Sequence, residues 1–303
     1  MNPKLSTIIC AYNSDPSSLQ RTLEGIQNQN CAGVNLEILL IDNASTPPLK
    51  IPLLNNSKFP LRQIKEAKPG LSQARRRGFM EATGDFFVLV DDDTILHPDY
   101  LEKAFYAMTT QPHLGCTGGK SIPEFEVPPD PWMAEFFNLL ALRDLGEQPL
   151  RAGWNQEYPL SSPVGAGMVL RREVAETWLK TGTSAITDRK GAELSSGGDN
   201  DIVLCALKAG WQVGYDPTLV LTHLIPASRL EPNYLERLNH GIQKSWMQVL
   251  SFHGINPWPP IPKWSVAPRK LKAWFTRKAW TSPAARIRWR GACGHFEGRV
   301  EHS

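Results

Sequence analysis

Residues 86–95, FFVLVDDDTI, constrain the chain more than any other stretch. Phe86 to Val90 have the apolar character and length of a buried strand, and Asp91, Asp92 and Asp93 follow at once. Three carboxylates at the edge of a core repel one another and lose hydration. Either a cation belongs there, or the strand has reached water in a turn or cap, where Asp is favoured. If the segment stays extended, Asp91 and Asp93 share a face roughly 6.5–7 Å apart and Asp92 points away. That spacing suits a hard divalent cation held by one or two carboxylates and completed by phosphate oxygens and water.

The flanking pattern predicts what kind of sheet carries this edge. LSTIIC (5–10) reads as a short buried strand, ended by the turn AYNSDP, with Asp15 and Pro16 opening a helix whose Leu19, Leu23 and Ile26 share a face. LEILLID (36–42) reads as a second strand ending in Asp42, a short third one lies near 61–64, and residues 70–82 form a helix before Gly84. Further on, a helix over 100–108, a strand near 114–118 and an amphipathic helix around 132–142 are expected. Residues 165–180 read as a Gly-led strand and helix, 195–217 as a Gly-rich loop, helix and strand, and 219–226 as one more strand. This alternation predicts an α/β domain with a mostly parallel central sheet flanked by helices. Such sheets bind ligands at the carboxyl ends of their strands, where Asn13, Asp42 and Asp91–Asp93 all fall. A second carboxylate pair, Asp199 and Asp201, opens a helix after glycines and offers a candidate base.

In order along the chain, STIICAYN, ILLIDNAS, AKPGLSQARRRGFMEATGDFFVLVDDD, GAGMVLRREV, SGGDNDIVLCALKAG and LTHLIP resemble the successive motifs of family 2 glycosyltransferases of the GT-A fold, over about residues 5–225. The likeness is to inverting enzymes of the bacterial surface-polysaccharide type. It implies a sugar moved from a nucleotide-diphosphate donor, UDP-linked or else dTDP- or GDP-linked, to a hydroxyl of a saccharide or lipid-linked acceptor. Carried over residue by residue, Tyr12 and Asp42 would hold the base and Asp91 the ribose, with Asn13, Arg75 and Asp92 beside the donor. Asp93 and His223 would bind Mg²⁺ or Mn²⁺. Gly165, Ala166, Gly167 and Asp201 would face the acceptor, and Asp199 would be the general base.

The chain departs from the family pattern at Cys10, where Pro is usual, at Arg76, where Asn is usual, and at Gly198, where a Glu precedes the catalytic Asp. A register two residues off would make Asp201 the base instead. Arg75, Arg76 and Arg77 would otherwise form a solvated helix face, and His223 a core histidine on an apolar strand. A sugar nucleotidyltransferase would carry a Gly-rich phosphate loop after its first strand, and AYNSDPSS has no glycine. A non-catalytic sugar- or nucleotide-binding protein is the remaining alternative, with Gly198 its only support.

Net charge separates the C-terminal part from the rest. Residues 1–236 carry 21 Lys and Arg against 28 Asp and Glu, whereas residues 237–303 carry 12 against 2. A catalytic domain over 1–230 is expected, with a nucleotide-sugar half (1–120) and an acceptor half (121–230), followed by a basic, Trp-rich helical extension over 231–303. Leu271, Trp274 and Phe275 are spaced for one face of an interfacial helix that would meet an anionic membrane, unless the tryptophans of this segment pack back on the catalytic domain. Basic and aromatic residues also interleave in single-strand nucleic-acid binders, but no recognition motif accompanies them, so no nucleic-acid partner is expected. No signal peptide or membrane span is read. The five scattered cysteines lack CxxC spacing and suit a reducing cytosol, so a cytoplasmic protein is expected, peripherally attached or not.

Overall fold

The computed structural model describes residues 3–51, 57–182 and 194–300. They group into two units. The first comprises Met1–Glu124, Ala141–Gly182 and Ile202–Leu224, and the second Phe125–Leu140, Thr183–Asp201 and Ile225–Ser303.

The first unit is built on a nine-stranded sheet. Strands β1 (Lys4–Ala11), β2 (Asn35–Asn43), β3 (Leu61–Glu66) and β4 (Phe86–Asp91) lie in the order β3-β2-β1-β4 and all pair in parallel. Helices α1 (Pro16–Gln27) and α2 (Leu71–Glu81) supply crossovers, and α3 (Tyr100–Thr110) follows the strand edge. β1, β2 and β4 are buried along nearly their whole length because both sheet faces are covered, so neighbouring residues bury alternately against each side. Leu5, Ile9, Ile38, Leu40, Val88 and Val90 join Tyr100, Leu101 and Met108 of α3 in one core cluster, each such side chain contributing about 1.5–3 kcal/mol.

Beyond β4 the sheet turns antiparallel, which corrects the expectation of a mostly parallel one. β5 (Thr94–Leu96) and β7 (Leu150–Ala152) pair antiparallel with β9 (Gln212–Ile225), and β8 (Val169–Arg171) pairs antiparallel with β4 and with β6 (Leu114–Phe125). β9 is one strand where the sequence suggests two. Pro217 falls between its pairing with β7, over residues 213–215, and with β5, over residues 221–223, so the missing N–H interrupts neither ladder.

Glu37 is buried in β2 and shows how the sheet tolerates a charge. Burial alone would raise its pKa, but hydrogen bonds from Ser6 Oγ (2.6 Å), the Thr83 amide (2.7 Å) and Thr83 Oγ1 (2.8 Å), with Lys4 adjacent, hold it down to about 2. The three successive arginines of α2 have separate surroundings. Arg75 is buried, Arg76 stacks 4.5 Å over Trp178 and donates to the Leu179 and Gly182 carbonyls at the end of α4 (Arg172–Thr181), and Arg77 pairs with Glu81. The solvated face read from their sequence holds for Arg77 alone, while Arg75 and Arg76 turn to the protein.

The second unit is helical. α6 (Pro232–Phe252) and α8 (Pro283–Gly298) pack along each other, and α7 (Val266–Thr276) lies on α8. The helix expected around 132–142 is a 3₁₀ stretch over Pro131–Leu140, with Met133, Phe136 and Leu140 buried. Trp274 of α7 meets Trp289 edge to face at 4.8 Å, and Trp289 Nε1 donates to the Lys270 carbonyl, fixing α7 to α8. Trp274 thus turns inward, while Leu271 and Phe275 stay exposed. Among the described residues, no helix is long and apolar enough to cross a membrane.

Candidate active site

The carboxyl ends of β1, β2 and β4 are aligned by register, with Ala11 opposite Asp42 and Cys10 opposite Asp91. Tyr12 leaves β1 there with about half its surface exposed. The two loops beside it are stitched together by Asn13, whose φ of 47° lies in the left-handed region that Asn tolerates. Its amide donates to Ser45 Oγ (3.0 Å) and its Oδ1 accepts from the Thr46 amide (2.8 Å). Asp42 is buried and accepts from the amides of Ser45 (3.2 Å) and Leu49 (3.1 Å). Its carboxylate shapes the loop after β2 as an Asx-type closure.

The three aspartates do not stay extended. β4 ends at Asp91, Asp92 and Asp93 form a turn, and β5 begins at Thr94. The alternating-face geometry read from the sequence is therefore replaced by a turn. Asp92 is hydrogen-bonded by Ser14 Oγ rather than pointing away, so the loop after β1 is tied to this turn. Asp93 Oδ1 lies 3.2 Å from His223 Nε2, and the Leu224 amide donates to the Asp93 carbonyl (2.8 Å). Antiparallel pairing of Thr94 with His223 brings these residues together from distant parts of the chain. His223 is buried, so its ring is directed by the sheet and not by solvent.

Gly165, Ala166 and Gly167 form the buried turn into β8. Gly167 adopts φ 75°, and a Cβ there would stand 2.5 Å from Tyr100 Oη and 2.4 Å from a Leu221 methyl. The Tyr100 hydroxyl donates to the Gly167 carbonyl (2.5 Å), and burial raises the phenol's pKa, keeping it a donor.

Asp199 and Asp201 open α5 (Gly198–Lys208). Asp199 is half-buried; Asp201 is buried, with its Oδ1 2.7 Å from His253 Nε2. His253 caps the end of α6, and that helix supports the approach to α5 at three levels. Gly241 gives room to the Leu194 backbone, where a Cβ would come within 2.3 Å of the carbonyl oxygen. Ser245 Oγ accepts from the Ser196 amide (3.3 Å), and His253 meets Asp201. Sequence reasoning missed Ser14, Ser45 and His253. A helix-ending His-Gly pair, His253-Gly254, was the one local sign of the last.

Comparison with known proteins agrees with this topology. The family model described as Glycosyl transferase family 2 matches residues 6–179. The chain belongs to that family. A dolichol-phosphate mannosyltransferase of Pyrococcus furiosus is 37% identical to this family 2 chain over 108 residues, covering 35% of the chain and 30% of that protein. The chain spans less than half the length of the first curated relatives it matches. Among solved structures, Staphylococcus aureus TarS 1–349 in complex with UDP superposes with a TM-score of 0.55 at 12% identity, covering 98% of this chain and 90% of that one. GalNAc-T7 with UDP, GalNAc and Mn²⁺ gives a TM-score of 0.56 at 14% identity, covering 97% and 55%. At such identities these structures establish the GT-A fold alone.

Proposed function

We propose that the chain is a cation-dependent, inverting glycosyltransferase. It moves a sugar from a nucleotide-diphosphate donor, a UDP-sugar in the first instance, to a hydroxyl of a saccharide or lipid-linked acceptor in cell-surface polysaccharide synthesis. The observation that carries this reading is the meeting of Asp93 and His223 at the carboxyl edge of the sheet. The carboxylate is a hard oxygen donor that suits Mn²⁺ or Mg²⁺, and the imidazole nitrogen beside it favours Mn²⁺ of the two. When bound, such a cation stabilises the charge that develops on the departing diphosphate.

The chain's own groups do the rest. Tyr12 offers an exposed ring against which a base can stack, bordered by the loop that Asp42 and Asn13 hold in shape. Asp91 and Asp92 lie at the same edge and take ribose hydroxyls or orient Asp93, while Arg75 supports the donor side from the buried face of α2. Gly165, Ala166 and Gly167 shape the acceptor side. Asp199 takes the acceptor hydroxyl's proton as the anomeric bond forms on the opposite face from the leaving group. Asp199 is preferred to Asp201 because Asp201 is buried and engaged by His253. UDP is preferred because TarS and GalNAc-T7 are both seen with it, and a lipid-linked acceptor is favoured by the name of the Pyrococcus relative.

Thermal melts with UDP, dTDP, GDP and CDP, each with and without Mn²⁺, test the donor site. UDP at 100 times its Kd is expected to add about 2.7 kcal/mol, a rise of several degrees, only when Mn²⁺ is present. Asp93→Ala is expected to remove the rise. A chain that no nucleotide stabilises under any of these conditions would sink the reading.

Peripheral attachment on the cytoplasmic membrane face is supported by the surface around α7. Trp264 (78%), Leu271 (61%), Phe275 (59%) and Trp280 (56%) are exposed. Lys263, Arg269, Lys272 and Lys278, interleaved with them along the chain, are exposed as well. Anionic lipid would attract each basic residue by about 1 kcal/mol near the surface, and the aromatic rings would enter the interface. Cosedimentation with phosphatidylglycerol vesicles at low salt is expected, with release at high salt and loss on Leu271→Glu/Phe275→Glu. A protein that stays in the supernatant at low salt would rule the attachment out.

A further inference from the structure

The second unit contains a cavity of about 420 Å³ bounded by α6, α8 and the residues flanking α7. That volume is enough for a small organic ligand. Its lining includes three basic side chains, Arg277, Arg288 and His295, and no acidic one. Trp258 and Phe296 supply aromatic walls, and Gln243 a neutral donor and acceptor. Trp258 meets the His295 ring edge to face at 4.9 Å. Among the described residues, the one carboxylate within ion-pair distance of either guanidinium is Glu135, 3.4 Å from Arg288. Burial lowers the His295 pKa, and the positive charges of Arg299 and Arg277 lower it further, so the local field is cationic.

We propose that this cavity binds an organic phosphate, with the anionic head on Arg277, Arg288 and His295 and the apolar or planar part along Trp258 and Phe296. Guanidinium forks make paired charge-assisted hydrogen bonds to phosphate oxygens, which a lysine-coated surface would not. Flat aromatic walls beside them remove the organic part from water. None of the lining residues is assigned to donor, acceptor or cation, so the site stands apart from the glycosyltransferase reading. Two sources share this chemistry: a soluble phosphorylated metabolite and the diphosphate head of a lipid carrier.

Calorimetric titration of the full chain with inorganic pyrophosphate and with farnesyl diphosphate, both in EDTA, tests it. Chelation removes the cation that the donor reading needs, so failure of one reading does not affect the other. Saturable binding is expected, weakened about tenfold or more by Arg277→Gln and by Arg288→Gln and unchanged by Asp93→Ala. Arg277 is exposed, so its loss spares the fold. Farnesyl diphosphate binding about tenfold more tightly than pyrophosphate, with the margin lost in Trp258→Ala, would assign the site to a lipid-borne head. Equal affinities would assign it to a soluble phosphate. Absence of saturable binding by either probe, or binding that both arginine variants leave intact, overturns the proposal.

Discussion

Asp199→Asn is expected to lower the rate of sugar transfer by about 10²–10⁴-fold while leaving metal-dependent nucleotide binding within about twofold of the unaltered protein. The amide keeps the shape of the carboxylate and its place in the first turn of α5, but cannot take a proton from a hydroxyl. An acceptor hydroxyl is a poor nucleophile, so the lost proton transfer appears in kcat. On the proposed function, donor affinity rests on Tyr12, Asp42 and Asp93, which the substitution leaves alone. Single-turnover assays with the preferred UDP-sugar, alongside nucleotide titration, separate the two effects. Undiminished turnover in Asp199→Asn would move the base elsewhere. Absence of turnover in the unaltered protein with every donor that binds would favour the non-catalytic alternative that Gly198, in place of a glutamate, keeps open.

The parts of this molecule legible from sequence are those whose signal is local. β1, β2 and β4 announce themselves because strands covered on both faces need unbroken apolar runs, and Asp42 and Asp91 mark where those runs stop. The turn at Asp92–Asp93 was not legible, because nothing local shows that Thr94–Leu96 starts a new strand against β9. His223 looks like any polar residue on an apolar strand until pairing sets it opposite Thr94. Arg76 carries no sign that Trp178, a hundred residues on, will receive it. In α7 the spacing of Leu271 and Phe275 showed an exposed apolar face, but Trp289, which draws Trp274 inward, sits on another helix. Periodicity identifies elements, and contacts between elements decide what their side chains touch.

His253 is the clearest such case, and replacing it is expected to carry the largest cost in stability. Asp201 and His253 are both buried and lie 2.7 Å apart at the start of α5 and the end of α6. Truncation by His253→Ala leaves a buried carboxylate without the imidazole that helps compensate its lost hydration. Such removals cost about 3–5 kcal/mol, a fall in Tm of roughly 10 °C. The pair variant Asp201→Leu/His253→Phe removes both polar groups together, with larger side chains in their place, and is expected to recover part of that loss, since the stability of buried polar pairs lies mainly in not being broken. Turnover should not recover with it. Asp199 lies two residues from Asp201, and the Asp201–His253 pair is one of the contacts that tie the first turn of α5 to the end of α6. The pair variant is therefore expected to melt above His253→Ala yet show reduced kcat and unchanged nucleotide affinity. Full recovery of kcat together with stability would make His253 a stability residue without influence on the base.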